Sequence, residues 1–405
     1  MLLKTSILFT LSYLLLASLV SKTYCKPPIL LVPGDGGSRL DAKLNKTTAP
    51  HYVCKRINDW FHIWLSLEEL LPEVIDCWSD DMRLVYDEKH KRMTSPPGVQ
   101  IRVPDFGKTS SVAYLDPTID HPGEYFAPLI DALVSIGYTK DKNLRAAPFD
   151  FRYAPDSAGE FYAYFQALVE QMFMEGGGEP VLVVSHSLGV PYTKYFLDRI
   201  HQEWKDKYLH AWVTIGGAWG GAAKLFRIIS SGTNLGFPDF ILNPLKMRVG
   251  LRTYESTTFL LPSEKFWDVK EPVIFTPKKN YSLSNFEEFL DDLNFPLGKT
   301  IKGLVPPVWS DHPPNVTLYC LYGTGVPTPR TFEFKEGQFP DTYPKTNFGD
   351  GDGTVNRKSL EGCFQYEKTQ KRPVVTRQFP KAEHMAIIGD KRVTDFIKGL
   401  VEGLP

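Results

Sequence analysis

The sequence predicts an α/β fold built around a parallel sheet, and three observations lead to this class. Residues 181–184 are four consecutive aliphatic residues, as in a strand that is buried on both faces of a parallel sheet. A turn of small residues follows them, and then a helical pattern over 192–200. The apolar runs 28–33 and 211–215 have the same buried character. At 405 residues, the chain is long enough for one large α/β domain with insertions.

The composition fits a globular protein with ample aromatic surface. Hydrophobic residues make up 42% of the chain and aromatic residues 13%. The formal net charge is -1, and residues of both signs are mixed along the chain. This balance argues against a nucleic-acid partner, which would favour a basic surface.

The first 25 residues are predicted to form a secretory signal peptide. The segment begins with a lysine-containing stretch, and residues 7–20 form a mostly apolar run that is short for a membrane span. Thr23 and Cys25 are small residues at the −3 and −1 places of a cleavage site. No later run is long and apolar enough to span a bilayer, so we expect the mature chain, 26–405, to be exported and soluble.

The cysteines and sequons agree with an exported protein. Cleavage after residue 25 removes one of five cysteines, and the remaining four favour two disulfides. Three pairings are possible, and the grouping into a near pair and a far pair favours Cys54–Cys77 and Cys320–Cys363. Three sequons predict glycosylation in a lumenal or extracellular compartment, at Asn45, Asn280 and Asn315.

The first core strand, over 28–33, leads into a glycine-rich loop at 34–38. Neither G-x-G-x-x-G nor the Gly-Lys-Ser of a phosphate-binding loop is present. A glycine-rich loop after an early strand suits an oxyanion hole, in which backbone N–H groups approach a substrate oxygen closely.

The segment between Cys54 and Cys77 carries apolar residues at helical spacing. One interpretation is a helix that packs in the core, and the other is an interfacial helix or loop that inserts aromatic side chains among lipid head groups. The pattern alone leaves both open. The residues concerned are Trp60, Ile63, Trp64, Leu67, Leu70 and Leu71.

The remaining elements follow in order along the chain. Helices are predicted over 125–138, 159–174 and 393–401, and strands at the start of 144–152 and over 211–215, 316–322 and 374–379. The segment from about 217 to 310 contains proline, glycine, asparagine and aromatic residues with weak periodicity. It suits a lid or cap inserted into the core.

The strand, turn and helix at 181–200 have the form of a nucleophile elbow around Ser187. An elbow holds its serine in a strained turn, so the residues two before and two after it must be small. Ser185 and Gly189 fill these places, although glycine is usual where Ser185 stands. The alternative interpretation is a serine-rich turn without chemistry.

A serine nucleophile needs a base and an acid that orients the base. In the α/β-hydrolase arrangement they follow in the order Ser, Asp or Glu, His, each after a core strand. The loop after strand 316–322 supplies Asp352, with Asp350 as the alternative acid, and the loop after strand 374–379 supplies His384.

Two other interpretations of these residues are weaker. The aspartate loop resembles a calcium-binding loop in part, but Val355 stands where that loop requires glycine. His186 is adjacent to Ser187 in the turn and is expected to point away from it, so it is not the predicted base.

Several motifs resemble those of the lecithin–cholesterol acyltransferase family of α/β-hydrolases, most closely its lysosomal phospholipase A (group XV) branch. The resemblance runs from about residue 28 to the C-terminus. The segments that carry it are Val-Pro-Gly-Asp at 32–35, Ile-Asp-Cys-Trp at 75–78, Phe-Gly-Lys-Thr at 106–109, Ala-Pro-Phe-Asp at 147–150, and the stretches 185–189, 219–221, 322–327 and 349–356.

The resemblance implies a catalytic triad and an oxyanion hole. The triad would be Ser187, Asp352 and His384, and the hole would be formed by the backbone N–H groups of Asp35 and Leu188. The resemblance also implies the two disulfide pairs that the grouping of the four cysteines favours. In the family reaction the serine attacks a phospholipid ester, and the acyl group passes to water or to a lipid alcohol such as ceramide, without a cofactor or metal.

The resemblance also implies two insertions and a set of partners. The region 50–80 would be a disulfide-stapled membrane-binding insertion, and 217–310 would include a lid. The expected partners are a phospholipid membrane surface and lipid acyl acceptors, in the lysosome lumen or outside the cell. The implied membrane-binding residues are Trp60, Phe61, Trp64, Leu67 and Leu71.

Asp35 distinguishes branches of the family, because the lysosomal branch carries aspartate there and the plasma cholesterol-esterifying branch carries cysteine. An ionised carboxylate beside an oxyanion hole opposes the negative charge that builds on the substrate oxygen, so an acidic pH optimum is expected. The alternatives are a secreted sterol acyltransferase, a catalytically silent lipid-binding protein, and a serine peptidase. The loop 36–39 and the segment 229–250 depart from the family pattern, which leaves open the acyl position that is cleaved and the preferred acceptor. The oligomeric state is also open.

Overall fold

The computed structural model describes residues 26–116, 123–236 and 242–403, which form fifteen strands and thirteen α-helices. The predicted signal peptide, 1–25, lies outside the described residues. The strands are β1 (Ile29–Val32), β2 (Leu40–Asn45), β3 (Ile57–Trp64), β4 (Val85–Asp87), β5 (Arg92–Thr94), β6 (Val99–Arg102), β7 (Leu144–Ala146), β8 (Val181–His186), β9 (Leu209–Ile215), β10 (Ile274–Phe275), β11 (Asn280–Tyr281), β12 (Leu318–Thr324), β13 (Thr328–Glu333), β14 (Lys345–Gly349) and β15 (Val374–Pro380). The helices are α1 (Ile75–Met82), α2 (Ser110–Ala113), α3 (Ala127–Val134), α4 (Gly159–Glu175), α5 (Gly189–Leu197), α6 (Gln202–Tyr208), α7 (Lys224–Ser231), α8 (Pro244–Leu251), α9 (Glu255–Phe259), α10 (Phe286–Asp292), α11 (Pro296–Leu304), α12 (Arg357–Leu360) and α13 (Lys391–Glu402).

Six strands form a parallel central sheet in the order β15-β12-β9-β8-β1-β7. Strand β8 is buried along its whole length, as the aliphatic run predicts. Alternate residues point to opposite faces, so Ile29 and Leu31 pack with α3 and α13, while Leu30 and Val32 pack with α4 and α5. Helices therefore cover both faces, and the predicted α/β-hydrolase fold class is confirmed.

The segment 60–71 is not a helix, and this corrects one of the two sequence interpretations. Residues up to Trp64 belong to β3, which pairs antiparallel with β2, and turns follow it. The isoleucine, tryptophan and phenylalanine residues of β3 are types common in strands, and β2 supplies its backbone hydrogen bonds. Helical spacing of apolar residues did not distinguish the two structures.

Both pairs of cysteines favoured by the sequence are joined as disulfides, Cys54–Cys77 and Cys320–Cys363. The first links the loop before β3 to helix α1. Helix α1 in turn packs against α8, where Ser79 Oγ donates to the Lys246 carbonyl at 2.8 Å and Lys246 Nζ pairs with Asp76 at 2.6 Å. The stapled insertion is therefore fastened to the segment predicted to be a lid.

The segment 217–310 is more regular than its weak periodicity suggests. Its described residues contain helices α7 to α11 and strands β10 and β11, while 237–241 lie outside the described residues. These helices are short. Helices α8 and α11 begin at a proline, and α8 is also capped by Asn243, whose side chain accepts from the N–H of Leu245. Across the described part of the chain, no helix has the length and apolarity needed to cross a membrane.

We expect Gly189→Ala to lower the free energy of unfolding by about 1–3 kcal/mol, because an added Cβ would lie 2.7 Å from the Val32 carbonyl oxygen and force β1 and α5 apart. Gly303→Ala in α11 is the matched control, since its Cβ would meet open space. It should be neutral or stabilising by less than about 1 kcal/mol. Urea unfolding measures both, and equal midpoints for the two variants would contradict the close contact at Gly189.

Candidate active site

Ser187 stands between β8 and α5 in a strained turn. Its φ is +53°, in the left-handed region that residues other than glycine rarely adopt. The turn is possible because Gly34 and Gly189 have no side chains: a Cβ on Gly34 would lie 2.7 Å from Ser187 Cβ, and one on Gly189 would overlap the Pro33 carbonyl oxygen. The turn lifts the serine hydroxyl above the carboxyl end of the sheet.

Ser185 occupies the usual glycine place of the elbow without leaving a polar group unsatisfied. Trp212 Nε1 donates to its Oγ at 3.0 Å. The same Oγ lies 2.7 Å from Thr193 Oγ1, which itself donates to the Gly189 carbonyl. The serine therefore donates to Thr193, and its hydroxyl ties β8 to α5 and β9 where glycine would make no contact.

Ser187 follows β8, His384 follows β15, and Asp352 follows β14, where the β13–β14 hairpin returns to the end of β12. His384 Nε2 lies 2.9 Å from Ser187 Oγ, and His384 Nδ1 lies 2.7 Å from Asp352 Oδ2. All three side chains are buried, with Asp352 fully so. The order along the chain and the two distances match a nucleophile, a base and an orienting acid.

Asp352, and not Asp350, reaches His384. The second oxygen of Asp352 accepts from the N–H groups of Thr354 and Val355, at 3.0 and 2.7 Å. Asp350 instead accepts from the Gly325 N–H at 2.7 Å and pairs with Arg357 at 3.1 Å.

The calcium interpretation of this loop fits the contacts poorly. Arg357 lies between Asp350 and Glu361, and pairs with Glu361 at 2.8 Å. The two carboxylates thus already share a cation, and Asp352 is turned towards His384. Within residues 26–116, 123–236 and 242–403, the structure contains no group of three or more His, Cys, Asp or Glu side chains arranged to hold a metal ion.

The two backbone N–H groups expected to form an oxyanion hole flank Ser187. Strands β1 and β8 pair in parallel with Val32 opposite Ser185, so Asp35 follows the end of β1 at the level of the elbow, and Leu188 follows Ser187 directly. Asp35 borders the cavity above Ser187.

Asp35 is exposed, but the space it faces is the cavity, whose protein walls reduce its hydration. This desolvation raises the pKa of Asp35, and the positive charge of Lys224 and of a protonated His384, with a hydrogen bond from the Gly36 N–H, offsets part of the rise. Burial in turn lowers the pKa of Lys224. Asp35 therefore protonates at a higher pH than an ordinary aspartate.

A cavity of about 580 Å³ opens above the triad. One wall is a run of aromatic rings, in which Trp64 lies 5.8 Å from Trp78 and 5.6 Å from Phe151, and Phe151 lies 6.4 Å from Tyr254. The cations Lys224 and Arg227 also border the cavity. The site thus combines an apolar wall, two basic side chains and an activated hydroxyl.

Trp64 does not lie where a membrane-binding role requires it, and this corrects that prediction. It is 7% exposed, lines the cavity, and donates from Nε1 to the Gly36 carbonyl at 2.7 Å. The side chain is held inward because Gly36 leaves room for the indole ring beneath the oxyanion loop.

The other four predicted membrane-binding residues differ in exposure. Trp60 is half-buried beneath the Arg102 guanidinium, 4.3 Å from its ring centre, and Phe61 and Leu67 are also half-buried. Leu71 is exposed. The two most exposed apolar side chains of the insertion, Tyr52 at 92% and Ile57 at 78%, were not among the predicted residues.

The three sequon asparagines lie outside the core. Asn45 and Asn280 are exposed at the ends of short strands, and Asn315 is half-buried in a loop. The surface position of the first two suits glycan attachment, which stays a prediction.

Comparison with known proteins shows the family to which the chain belongs. The profile described as "Lecithin:cholesterol acyltransferase" matches residues 60–306 and 306–391. The chain belongs to the lecithin:cholesterol acyltransferase family. Within it, the chain is 43% identical over 382 residues to the "Lysosomal phospholipase A and acyltransferase" of Homo sapiens, which covers 93% of this chain and 91% of that protein. The Rattus norvegicus protein of the same name is 41% identical over 402 residues, covering 98% and 95%.

A second group of relatives in the lecithin:cholesterol acyltransferase family is less similar. The "Phosphatidylcholine-sterol acyltransferase" of Mus musculus is 37% identical over 379 residues, covering 93% of this chain and 85% of that protein. The lipid-directed names of both groups agree with a site that joins an apolar wall to a nucleophilic hydroxyl.

Sequence reasoning missed several residues of the site. Tyr125 and His186 lie beneath the triad, and Lys224, Phe151 and Tyr254 border the cavity. The lone lysine after Gly-Gly-Ala-Ala at 220–223 was a usable signal, since a small-residue turn after a core strand lies at the carboxyl edge of the sheet. The other four carry no signal in the local sequence.

Proposed function

We propose that this chain is a lumenal serine phospholipase A and O-acyltransferase that works through an acyl-Ser187 intermediate. The observation that carries the proposal is the hydrogen-bonded series from Ser187 through His384 to Asp352 at the floor of an apolar-walled cavity. The names of the relatives, which combine phospholipase A with acyltransferase, support the same chemistry.

The first half of the reaction forms the acyl-enzyme. Ser187 Oγ attacks the carbonyl carbon of a glycerophospholipid ester while His384 Nε2 takes its proton. The N–H groups of Asp35 and Leu188 stabilise the oxyanion of the tetrahedral intermediate. Collapse breaks the carbon–oxygen bond, and His384 returns the proton to the departing lysophospholipid oxygen.

The second half reverses these roles. His384 removes a proton from water or from a lipid alcohol such as ceramide, whose oxygen attacks the acyl-Ser187 carbonyl. The products are a fatty acid or a new ester, and Ser187 regains its proton. Asp352 keeps the imidazole oriented throughout and stabilises its positive charge.

The cavity explains a lipid substrate better than a peptide. The aromatic wall of the cavity, which consists of the rings of Trp78, Trp64, Phe151 and Tyr254, offers apolar contact to an acyl chain. Lys224 and Arg227 add positive charge that suits a phosphate-bearing substrate. A water-soluble peptide would gain little from either feature.

The stapled insertion supports contact with a membrane surface. Its exposed apolar side chains, Tyr52, Ile57 and Leu71, lie within a few residues of Cys54 or Cys77 in the sequence, and the disulfide between these cysteines limits the motion of the segments that carry them. With the predicted signal peptide and the lysosomal names of relatives, this places the proposed site of action in the lysosome lumen, with secretion as the alternative.

The test is acyl release from liposomes of phosphatidylcholine with short-chain ceramide. The wild type should release fatty acid and form acylceramide, and Ser187→Ala should lower the rate by about 10⁴-fold or more. Formation of cholesteryl ester instead, once cholesterol is added, would favour a sterol acyltransferase. No release at any pH, with liposome binding intact, would contradict the proposal and favour a silent lipid-binding protein.

A matched pair of aspartate variants accompanies this test. Asp352→Asn should lower the rate by about 10⁴-fold, because the imidazole loses its orienting carboxylate. Asp350→Asn removes a carboxylate of the same loop that contacts Arg357 and should keep most of the activity. Equal losses in the two variants would mean that the loop, rather than the Asp352 carboxylate, is what matters.

The pH profile should depend on Asp35. Above the raised pKa of Asp35 its carboxylate is ionised and opposes the oxyanion, so wild-type activity should fall as pH rises through that pKa. Asp35→Asn keeps the backbone N–H and removes the charge, and should retain its rate at neutral pH. Liposome hydrolysis between pH 4 and 8 measures both, and superimposable profiles would rule out this role for Asp35.

A further inference from the structure

Beneath the triad, Tyr125 and His186 form a buried hydrogen-bonded chain that the proposed reaction does not use. The Gly34 N–H donates to Tyr125 Oη at 2.8 Å. Tyr125 Oη lies 2.7 Å from His186 Nδ1, and His186 Nε2 lies 2.9 Å from the His384 carbonyl oxygen. The chain therefore connects the oxyanion loop to the loop of the catalytic base.

The two ends of the chain fix the direction of every hydrogen bond in it. A peptide N–H can only donate and a peptide carbonyl can only accept. His186 Nε2 must therefore carry the proton that is given to the His384 carbonyl. Its Nδ1 is then an acceptor, and the Tyr125 hydroxyl, which already accepts from Gly34, donates to it.

The surroundings keep both groups in these protonation states. Tyr125 and His186 are almost fully buried, and Phe126 packs edge-on against both rings. Burial raises the pKa of Tyr125, so the phenol keeps its proton. Burial, and then the charge that the neighbouring His384 carries when it is protonated, lower the pKa of His186 well below 6.5, so this ring stays neutral.

Both ends of the chain hold backbone that is part of the reaction geometry. Gly34 precedes the expected oxyanion donor Asp35 and packs against Ser187. The backbone of His384 is held on two sides, since its N–H donates to the Asp352 carbonyl at 2.8 Å and its C=O accepts from His186. The imidazole rings of His186 and His384 also lie 4.7 Å apart.

We propose that Tyr125 and His186 are positioning residues. Their hydrogen-bonded chain, called the relay below, holds the oxyanion loop and the loop of the catalytic base at fixed positions relative to Ser187. They act through the backbone of Gly34 and His384 rather than on the substrate. The relay deepens the proposed function, because it rests on acyl transfer by Ser187. Its loss should slow the chemical step and leave substrate binding nearly unchanged, since positioning errors of about 1 Å can cost about 10²-fold in rate.

The test is a double-mutant cycle in the full chain, with p-nitrophenyl butyrate as the substrate because it requires neither a membrane nor a lipid acceptor. Tyr125→Phe removes the hydroxyl from the middle of the chain. His186→Asn retains an acceptor near Tyr125 and is too short to reach the His384 carbonyl. We expect each to lower kcat by about 10- to 100-fold, with KM within about twofold.

The double variant separates a relay from two independent structural effects. If the residues act as one chain, Tyr125→Phe with His186→Asn should lower kcat about as much as the more damaging single change, because either break disconnects the same loops. Losses that multiply would contradict the relay.

Tyr138→Phe is the control for the loss of a buried phenol. Its hydroxyl donates to the Pro27 carbonyl at 2.8 Å, away from the triad. It should keep kcat within about twofold while losing similar thermal stability. If Tyr125→Phe retains the same kcat as this control, the relay is refuted, and this pair alone decides the question if His186→Asn does not fold. Equal activity of wild type and Ser187→Ala is a separate outcome that would overturn the proposed function itself.

Discussion

The close approach of β1, β8 and α5 at Ser187 is the constraint on which the rest of the site depends. The serine adopts a left-handed conformation because Gly34 and Gly189 leave no side chain in the way. This contact fixes the nucleophile at the carboxyl edge of the sheet. Strands β12 and β15 end at the same edge because all six strands run parallel, and the loop after β15 brings His384 beside Ser187. Asp352 comes after the β13–β14 hairpin that follows β12, and it returns to this edge by pairing with Val326, just beyond the end of β12.

The cavity depends on contacts between parts of the chain that are far apart in sequence. Trp64 from the stapled insertion, Phe151 from the loop after β7, and Tyr254 from the lid region form one aromatic wall. Helix α1 of the insertion is bonded to α8 of the lid region. The exposed apolar residues of the insertion are therefore connected, through α1 and α8, to the aromatic wall of the cavity.

The sequence predicted the parts of the fold that local pattern determines. The strand β8, the elbow around Ser187 and the loops of Asp352 and His384 were placed because buried aliphatic runs and strand order are visible locally. Local pattern does not decide between Asp350 and Asp352, because the choice depends on which carboxyl faces His384 and which faces Arg357.

The features that the sequence did not predict correctly have a common physical cause. Residues 60–64 have apolar spacing that fits a helix, and only pairing with β2 makes them a strand. Tryptophan is common at membrane interfaces, yet a hydrogen bond from Trp64 to the Gly36 carbonyl holds this side chain inward. Tyr125 and His186 are 61 residues apart, and their contact arises only when α3 packs below β8. Each of these outcomes was decided by tertiary contacts that no local pattern records.

Identifying the nucleophilic serine by mass spectrometry tests the central claim most directly. The protein would be treated with an alkyl phosphonofluoridate, a mimic of the tetrahedral intermediate, then digested and analysed by mass spectrometry. We expect one stable adduct, on the peptide that contains Ser187, and we expect it to form slowly or not at all in Asp352→Asn and His384→Ala. An adduct on another serine, or lipid hydrolysis that survives full modification of Ser187, would contradict the central claim.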